Sequence, residues 1–201
     1  MALRTIAVFD FDDTLVKGDS FFPFLCYVAG WPKTLLALTD TLTLYALRYA
    51  KNKNDPAIAD YRTFVKSELL QRLLKGIPAS QIQSGIERLR KWVKWNPPMR
   101  QALLDHHAEG HHIVVASGGL DLYLRELLKD LPVDALLCTN IGIENGKVTA
   151  IMTSGNCVRE RKADMVAAYI KQHGPFEDSW GYGNYPHDVP MLSLVKNRIL
   201  V

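Results

Sequence analysis

The sequence is poor in cysteine, in long apolar runs and in excess charge, and each shortage removes a class of protein. Cys26, Cys138 and Cys157 lie far apart, are odd in number and form no C-x-x-C pair. This argues against a disulfide framework or a thiolate zinc site and for a reducing compartment, which we take as the cytoplasm. The most apolar stretch, Thr34 to Ala50, contains Asp40, Arg48 and four threonines, and it falls short of the roughly 20 predominantly apolar residues of a membrane span. The opening MALRTIAVFDFDDTL has one Arg and a short apolar run ending in acids, without the h-region and cleavage site of a secretory signal. Neither sign of charge dominates: 24 Lys and Arg against 21 Asp and Glu leave +3, spread along the chain, which indicates no nucleic-acid or other polyanionic partner. Repeats and low-complexity segments are absent from the sequence. What remains, 201 residues at 48% hydrophobic and 22% charged, is one globular domain or one domain with an insertion.

The chain has the rhythm of an α/β protein. Thr5 to Phe9 is a short, β-branched run without polar alternation, as expected of a strand buried on both faces of a parallel sheet. Ile113 to Ala116 is a second such run, followed by Ser117-Gly118-Gly119 and a helical pattern from Asp121 to Leu131. Ala135 to Thr139 is a third. Asn145-Gly146, between Ile141 and Ile151, predicts a β-hairpin with a type I′ turn. Arg159 to His173 reads as a helix ended by Gly174-Pro175, followed by a strand near Ser179 to Tyr182, a helix over about 188–196 and a strand at Arg198 to Val201. Alternation of this kind predicts a doubly wound parallel sheet with right-handed crossovers. Between the first two strands the pattern is helical: Leu35, Leu38, Leu42, Tyr45 and Tyr49 recur at spacings of three and four, as do Tyr61, Phe64, Val65, Leu69 and Leu73, and Ile82, Ile86, Leu89 and Val93. We therefore expect a catalytic core over 1–16 and 98–201 and a helical cap over 17–97, with a polar hinge at Lys17 to Ser20 and a breaker at Asn96-Pro97-Pro98.

Four strand ends carry chemistry. In Phe9-Asp10-Phe11-Asp12-Asp13-Thr14-Leu15, acids close a buried strand, which costs energy unless a cation, a proton or donors compensate. Asp10 and Asp12 share a face at period two, and paired carboxylates suit a hard cation such as Mg²⁺. An N-cap cluster on a surface loop is the plainer alternative. Ser117-Gly118-Gly119 offers a hydroxyl and backbone N–H groups at a strand-to-helix turn, where an anion is favoured. Lys162, in the first turn of a helix, opposes the macrodipole and so calls for another reason, such as a phosphate. Asn184 and Asp188, in Gly183-Asn184-Tyr185-Pro186-His187-Asp188, bring oxygen ligands to the same sheet edge.

With these four elements in order, the sequence resembles the haloacid dehalogenase superfamily of phosphohydrolases over nearly its whole length. Asp10, Asp12 and Thr14 match the DxDxT motif, Ser117 the second motif, Lys162 the third and Asn184 with Asp188 the fourth. The insertion between motifs one and two is that of the subclass with helical caps, which includes phosphoserine phosphatase. The resemblance implies a Mg²⁺-dependent phosphatase, acting on a small phosphorylated substrate under a cap that closes and excludes water. It implies that Asp10 attacks phosphorus to form an aspartyl-phosphate, and that Asp12 protonates the leaving oxygen and then activates water. Thr14 would orient Asp12, and with Ser117, Gly118 and Lys162 it makes up the phosphate-binding set. The metal set would be Asp10, Asp12 through its carbonyl, and Asn184 or Asp188. Two positions depart from the pattern: Asn184 where many relatives have Asp, and Asp13 where a small residue is common.

Other features are set aside. The pairs His106-His107 and His111-His112 are read as decoration of a helix C-terminus rather than a metal site. Arg88, Arg90, Lys91 and Lys94 with Trp92 and Trp95 are read as a solvated helix face rather than a nucleic-acid surface. The helix near Leu35 to Tyr49 is expected to pack within the cap. Membrane docking of that helix, helped by Lys33, Arg48, Lys51 and Lys53, is the alternative, and with it a lipid-phosphate phosphatase resembling a phosphatidylglycerophosphatase. A receiver domain and a catalytically silent phosphate-binding adaptor are the remaining rivals. The sequence names neither the substrate nor the oligomeric state.

Overall fold

The computed structural model describes residues 4–201; the first three residues of the 1–16 segment, and of the stretch read for a signal, lie outside the described residues. In chain order the elements are β1 (Thr5–Phe9), α1 (Phe21–Ala29), α2 (Trp31–Lys51), a 3₁₀ turn (Pro56–Ile58), α3 (Tyr61–Leu73), α4 (Ala79–Trp92), α5 (Pro97–Ala108), β2 (His112–Leu120), α6 (Asp121–Leu128), β3 (Ala135–Thr139), β4 (Ile141–Glu144), β5 (Lys147–Met152), α7 (Arg159–His173), β6 (Asp178–Gly183), α8 (Val189–Leu192) and β7 (Asn197–Leu200). They form two compact units: Met1–Ser20, Trp92–Asn140 and Ser154–Val201 in one, Phe21–Lys91 and Ile141–Thr153 in the other. The hairpin β4–β5, which lies within 98–201 in sequence, clusters with the helices of the second unit.

The first unit is a doubly wound α/β fold. Its parallel sheet has the order β3-β2-β1-β6-β7. The chain runs outward from β1 to β3 and then returns to the other side at β6, so the order reverses beside β1, where the carboxyl ends of strands leave a crevice. Alternation along β1 sends its apolar residues both ways. Ile6 and Val8 join Val114 and Ala116 against Val166 of α7 and Met191 and Leu192 of α8. On the other face Phe9 stacks on Tyr182, centroids 4.3 Å apart, and meets His106 of α5 edge-on. A sheet covered on both sides explains why these strands are almost uninterruptedly apolar.

His106 does more than decorate a helix end. It is buried, with Nε2 2.9 Å from the Tyr182 hydroxyl and Nδ1 2.7 Å from His111 Nδ1. Burial first, then His111, lowers its pKa and favours the neutral ring. Helix lengths also differ from expectation: α6 stops at Leu128 and α8 spans only Val189–Leu192. The chain leaves and re-enters this unit through a narrow neck. Val16 and Trp95 form an antiparallel bridge, Lys17 N–H donates to the Lys94 carbonyl (2.8 Å) and Asn96 N–H to the Leu15 carbonyl (2.9 Å).

In the second unit Gly30, at φ 91°, breaks the first helix, and Pro32 starts α2. Gly85 of α4 lets α1 come close: a Cβ there would stand 2.4 Å from Val28 Cγ2. The hairpin turns at Asn145 and Gly146, both at positive φ as a type I′ turn requires. Its β5 strand is held by Gly76 N–H to Val148 O (2.8 Å) and Gln71 Nε2 to Ala150 O (3.1 Å). The α2 helix presents a different face from the one expected. Thr34, Ala37 and Thr41 are buried, while Leu35, Leu42 and Tyr49 of the apolar pattern are exposed. Small residues permit close approach to the neighbouring α1 and α3, and Thr34 returns its hydroxyl to the Gly30 carbonyl (2.9 Å), so periodicity of leucine alone misidentified the packed side.

Candidate active site

The site begins where β1 ends. Asp10 N–H still donates to the Tyr182 carbonyl (2.9 Å), so the Asp10 backbone is held in the sheet while its side chain, in a residue only 4% exposed, emerges at the carboxyl edge. Beyond it the chain turns sharply: Val16 N–H bonds to the Phe11 carbonyl (3.0 Å) and Asp13 takes a left-handed φ of 58°. Asp tolerates that conformation better than most residues. Asp13 also accepts Gly18 N–H on Oδ1 (2.8 Å), so this acid serves the loop, which accounts for its departure from the small residue expected there.

Lys162 joins the strand ends. From the first turn of α7 its Nζ donates to Asp10 Oδ1 (2.7 Å) and to Asp188 Oδ1 (2.6 Å), with all three side chains buried. Burial would strip the ammonium of its proton, but the two carboxylates outweigh it and raise the lysine pKa, so it stays charged. Burial pushes the Asp10 carboxyl up to about 6; Lys162 counters this and Asp188 adds to it. Asp188 is fixed on its other oxygen by Asn184 N–H (2.9 Å). Close packing of Gly183 against this carboxylate leaves no room for a Cβ, which would lie 2.9 Å from Asp188 Oδ2.

Asp12 is held differently. Its Oδ1 accepts Ser20 N–H (2.9 Å), and the Ser20 hydroxyl donates to the buried Tyr123 hydroxyl (3.0 Å). Burial first, then the charge of Asp19, raises the Asp12 carboxyl to about 7, so near neutrality it can hold or release a proton. Ser20 and Tyr123 are absent from the sequence-based set. The hinge Lys17 to Ser20 carried a hint of the first, whereas Tyr123 reads only as one more apolar position on α6.

The remaining candidates sit at adjacent positions. Register of Phe9 with Val115 continues one step to set Asp10 level with Ala116, so Ser117 and Gly118 follow at the neighbouring strand end. Ser117 Oγ accepts Gly119 N–H (2.9 Å) and the Gly118 carbonyl accepts the Thr139 hydroxyl (3.0 Å), shaping this turn. Thr14 is fully buried; its hydroxyl makes no hydrogen bond of normal geometry, although it lies near enough to Asp10 to favour the charged carboxylate.

The donor set fits a hard cation. Asn184 Nδ2 lies 3.2 Å from the Asp12 carbonyl and 3.5 Å from Asp10 Oδ2. Nitrogen and oxygen of an amide are assigned from their partners, and a rotated Asn184 would place a third oxygen beside the other two. Three oxygens, one of them anionic, are the chemistry Mg²⁺ prefers. Asp188 is already committed, with one oxygen on Lys162 and the other on Asn184 N–H.

The profile of the haloacid dehalogenase-like hydrolases matches residues 7–193. The chain belongs to that family. It is 24% identical over 200 residues to protein CicA of Caulobacter vibrioides, covering 96% of this chain and 84% of that protein. It is 27% identical over 198 residues to the phosphoserine phosphatase SerB2 of Mycobacterium tuberculosis, covering 96% of this chain but 43% of the relative. In three dimensions it superposes on a substrate-bound phosphoserine phosphatase with a TM-score of 0.66 at 17% identity, covering all of this chain and 87% of that one, a likeness of fold. Family membership makes this protein a hydrolase.

Proposed function

We propose that this hydrolase is a phosphatase that cleaves phosphate monoesters of small metabolites through an aspartyl-phosphate on Asp10. The observation that carries the reading is the buried Lys162 ammonium bonded to both Asp10 and Asp188, a cation spent on a carboxylate that must stay anionic to act as a nucleophile. In the first step an Asp10 oxygen bonds to phosphorus as the ester P–O bond breaks, and Asp12 gives its proton to the departing alkoxide. In the second, Asp12 takes a proton from water, whose oxygen displaces Asp10 and releases inorganic phosphate. Ser20 N–H holds Asp12 in place for both transfers. Lys162, with Ser117 and the Gly118 N–H, would meet the equatorial phosphate oxygens. Asp10, the Asp12 carbonyl and Asn184 would hold Mg²⁺, which supplies Lewis-acid neutralisation of the phosphate dianion; the existing bonds of Asp188 favour Asn184 over it as the direct ligand.

The test is turnover of p-nitrophenyl phosphate and of a panel of phosphorylated metabolites, with Mg²⁺ and with chelator, for the wild type and Asp10→Asn. The wild type should release phosphate and form an acid-stable labelled protein from ³²P-substrate. Asp10→Asn should lose turnover by at least ~10³-fold with an unchanged circular dichroism spectrum. Equal turnover by folded Asp10→Asn would end the proposal.

A further inference from the structure

Among the described residues, α2 carries six of the exposed large hydrophobic side chains. Trp31, Leu35, Leu36, Leu42, Leu47 and Tyr49 are between 38% and 65% exposed. They do not scatter. At 3.6 residues per turn, Tyr49 stands directly in line with Trp31, Leu35 and Leu42 fall within about 40° of them, and Leu36 and Leu47 lie about 140–160° round. The residues between, Thr39, Thr43, Ala46 and Ala50, are uncharged, so close to half the helix circumference faces solvent without a charge. The opposite side is the one that packs, through Thr34, Ala37 and Thr41. A monomeric soluble protein rarely leaves so continuous an apolar face unpartnered.

The rim of this face identifies what would cover it. Lys33 and Lys51 both fall at about 200°, along the edge beyond Leu47, and Lys53 lies just beyond the helix with its ammonium 5.7 Å from the centre of the Tyr49 ring. The one acid on the helix, Asp40, is paired with Arg72 at 3.6 Å. Trp31 and Tyr49, rings with one apolar and one polar end, lie on this stripe, and such rings settle at headgroup level. Protein interfaces are depleted in lysine, whereas a lysine rim beside leucine and tryptophan matches a helix lying in the plane of an anionic bilayer. Among the described residues no helix is long and apolar enough to cross a membrane, so α2 would lie on the surface.

We infer that α2 is a membrane-surface docking helix that seats its Trp31–Leu36–Leu47–Tyr49 face in the headgroup layer of a bilayer containing anionic lipid. This goes beyond the hydrolase chemistry and does not depend on it.

Full-length protein would be co-sedimented with vesicles of phosphatidylcholine alone and of phosphatidylcholine mixed with phosphatidylserine. The wild type should pellet with the mixed vesicles, and less so with neutral ones or at high salt. Leu36→Glu/Leu47→Glu, on the exposed arc, should lower the apparent affinity by at least ~10-fold and leave p-nitrophenyl phosphate turnover and the unfolding midpoint unchanged. Ile143→Glu/Ile151→Glu, on exposed positions of the hairpin, should bind vesicles like the wild type. The inference is overturned if the wild type stays in the supernatant, if it binds neutral and anionic vesicles alike, or if Leu36→Glu/Leu47→Glu still pellets. It is equally overturned if the wild type is a stable dimer in solution that this double variant dissociates, because a second copy would then cover the face.

Discussion

Replacing Lys162 by methionine keeps the aliphatic stem and removes the ammonium that sits 2.7 Å from Asp10 and 2.6 Å from Asp188. At an effective dielectric of about 20, each contact represents roughly 6 kcal/mol of gross attraction. Desolvation of the three groups cancels most of it, and breaking a buried ion pair from one side costs about 3–5 kcal/mol because the partners stay buried without compensation. Urea unfolding near neutral pH, without divalent ions, should therefore show Lys162→Met less stable than the wild type by about that amount. The deficit must depend on pH in one direction. Asp10 sits at about 6 in the folded protein, above its ordinary 3.8, first because it is buried, with Lys162 restraining the rise. Without the ammonium its folded pKa is higher still. A carboxyl whose pKa is raised on folding favours the fold when protonated, so the deficit is full only above the variant's own, higher Asp10 pKa, shrinks as pH falls from there towards about 6, and is smallest below it. Asp188→Asn in the same background removes one orphaned carboxylate and should recover part of the loss. A deficit under about 1 kcal/mol at neutral pH, or one that grows on acidification, would refute the reasoning from buried charge.

Other expectations are smaller in scope. Asp12→Asn should cut hydrolysis of alkyl phosphates by about 10²–10⁴-fold and that of p-nitrophenyl phosphate much less, since nitrophenolate leaves without a proton; comparison of kcat for the two substrates checks this. Gly183→Ala puts a methyl 2.7 Å from Asp188 Cβ and should cost about 1–3 kcal/mol by overpacking, read as a lower thermal midpoint, together with a fall in turnover. Burial first, then His111, lowers the pKa of His106. A histidine with a lowered folded pKa destabilises the fold as pH drops below its free value of 6.5, so His106→Gln should weaken the pH dependence of the urea midpoint between about pH 7 and 5 relative to the wild type.

Much of the architecture was legible in the chain because the relevant signals are local. Strand β1, strand β3, the Asn145-Gly146 turn and the whole of α7 follow from apolar runs, turn chemistry and helix stops that need no knowledge of distant partners. The meeting of Asp10, Lys162 and Asp188 was legible for a related reason: acids and a lysine at buried strand ends contradict what burial alone would choose. What escaped depended on contacts across the sequence. The packed side of α2 is chosen by small residues that admit α1 and α3, and leucine spacing carries no record of that. Tyr123 meets the site at the Ser20 hydroxyl, 103 positions away, and His106 bonds Tyr182 from a helix end where histidine ordinarily meets solvent. Asn184 and Asp188 were indistinguishable as ligands in sequence, which does not show the bonds of Asp188 to Lys162 and to a backbone N–H.

The neck at Leu15–Lys17 and Lys94–Asn96 has a consequence for how such a protein diversifies. Departure and return are hydrogen-bonded side by side, so at this doorway the sheet does not sense the length of the helical segment that hangs between them. The intervening helices, with the β4–β5 hairpin bonded to them, can thus be traded for other modules during evolution while Asp10 keeps its place at the end of β1, which makes this doorway a natural splice point for building chimaeras.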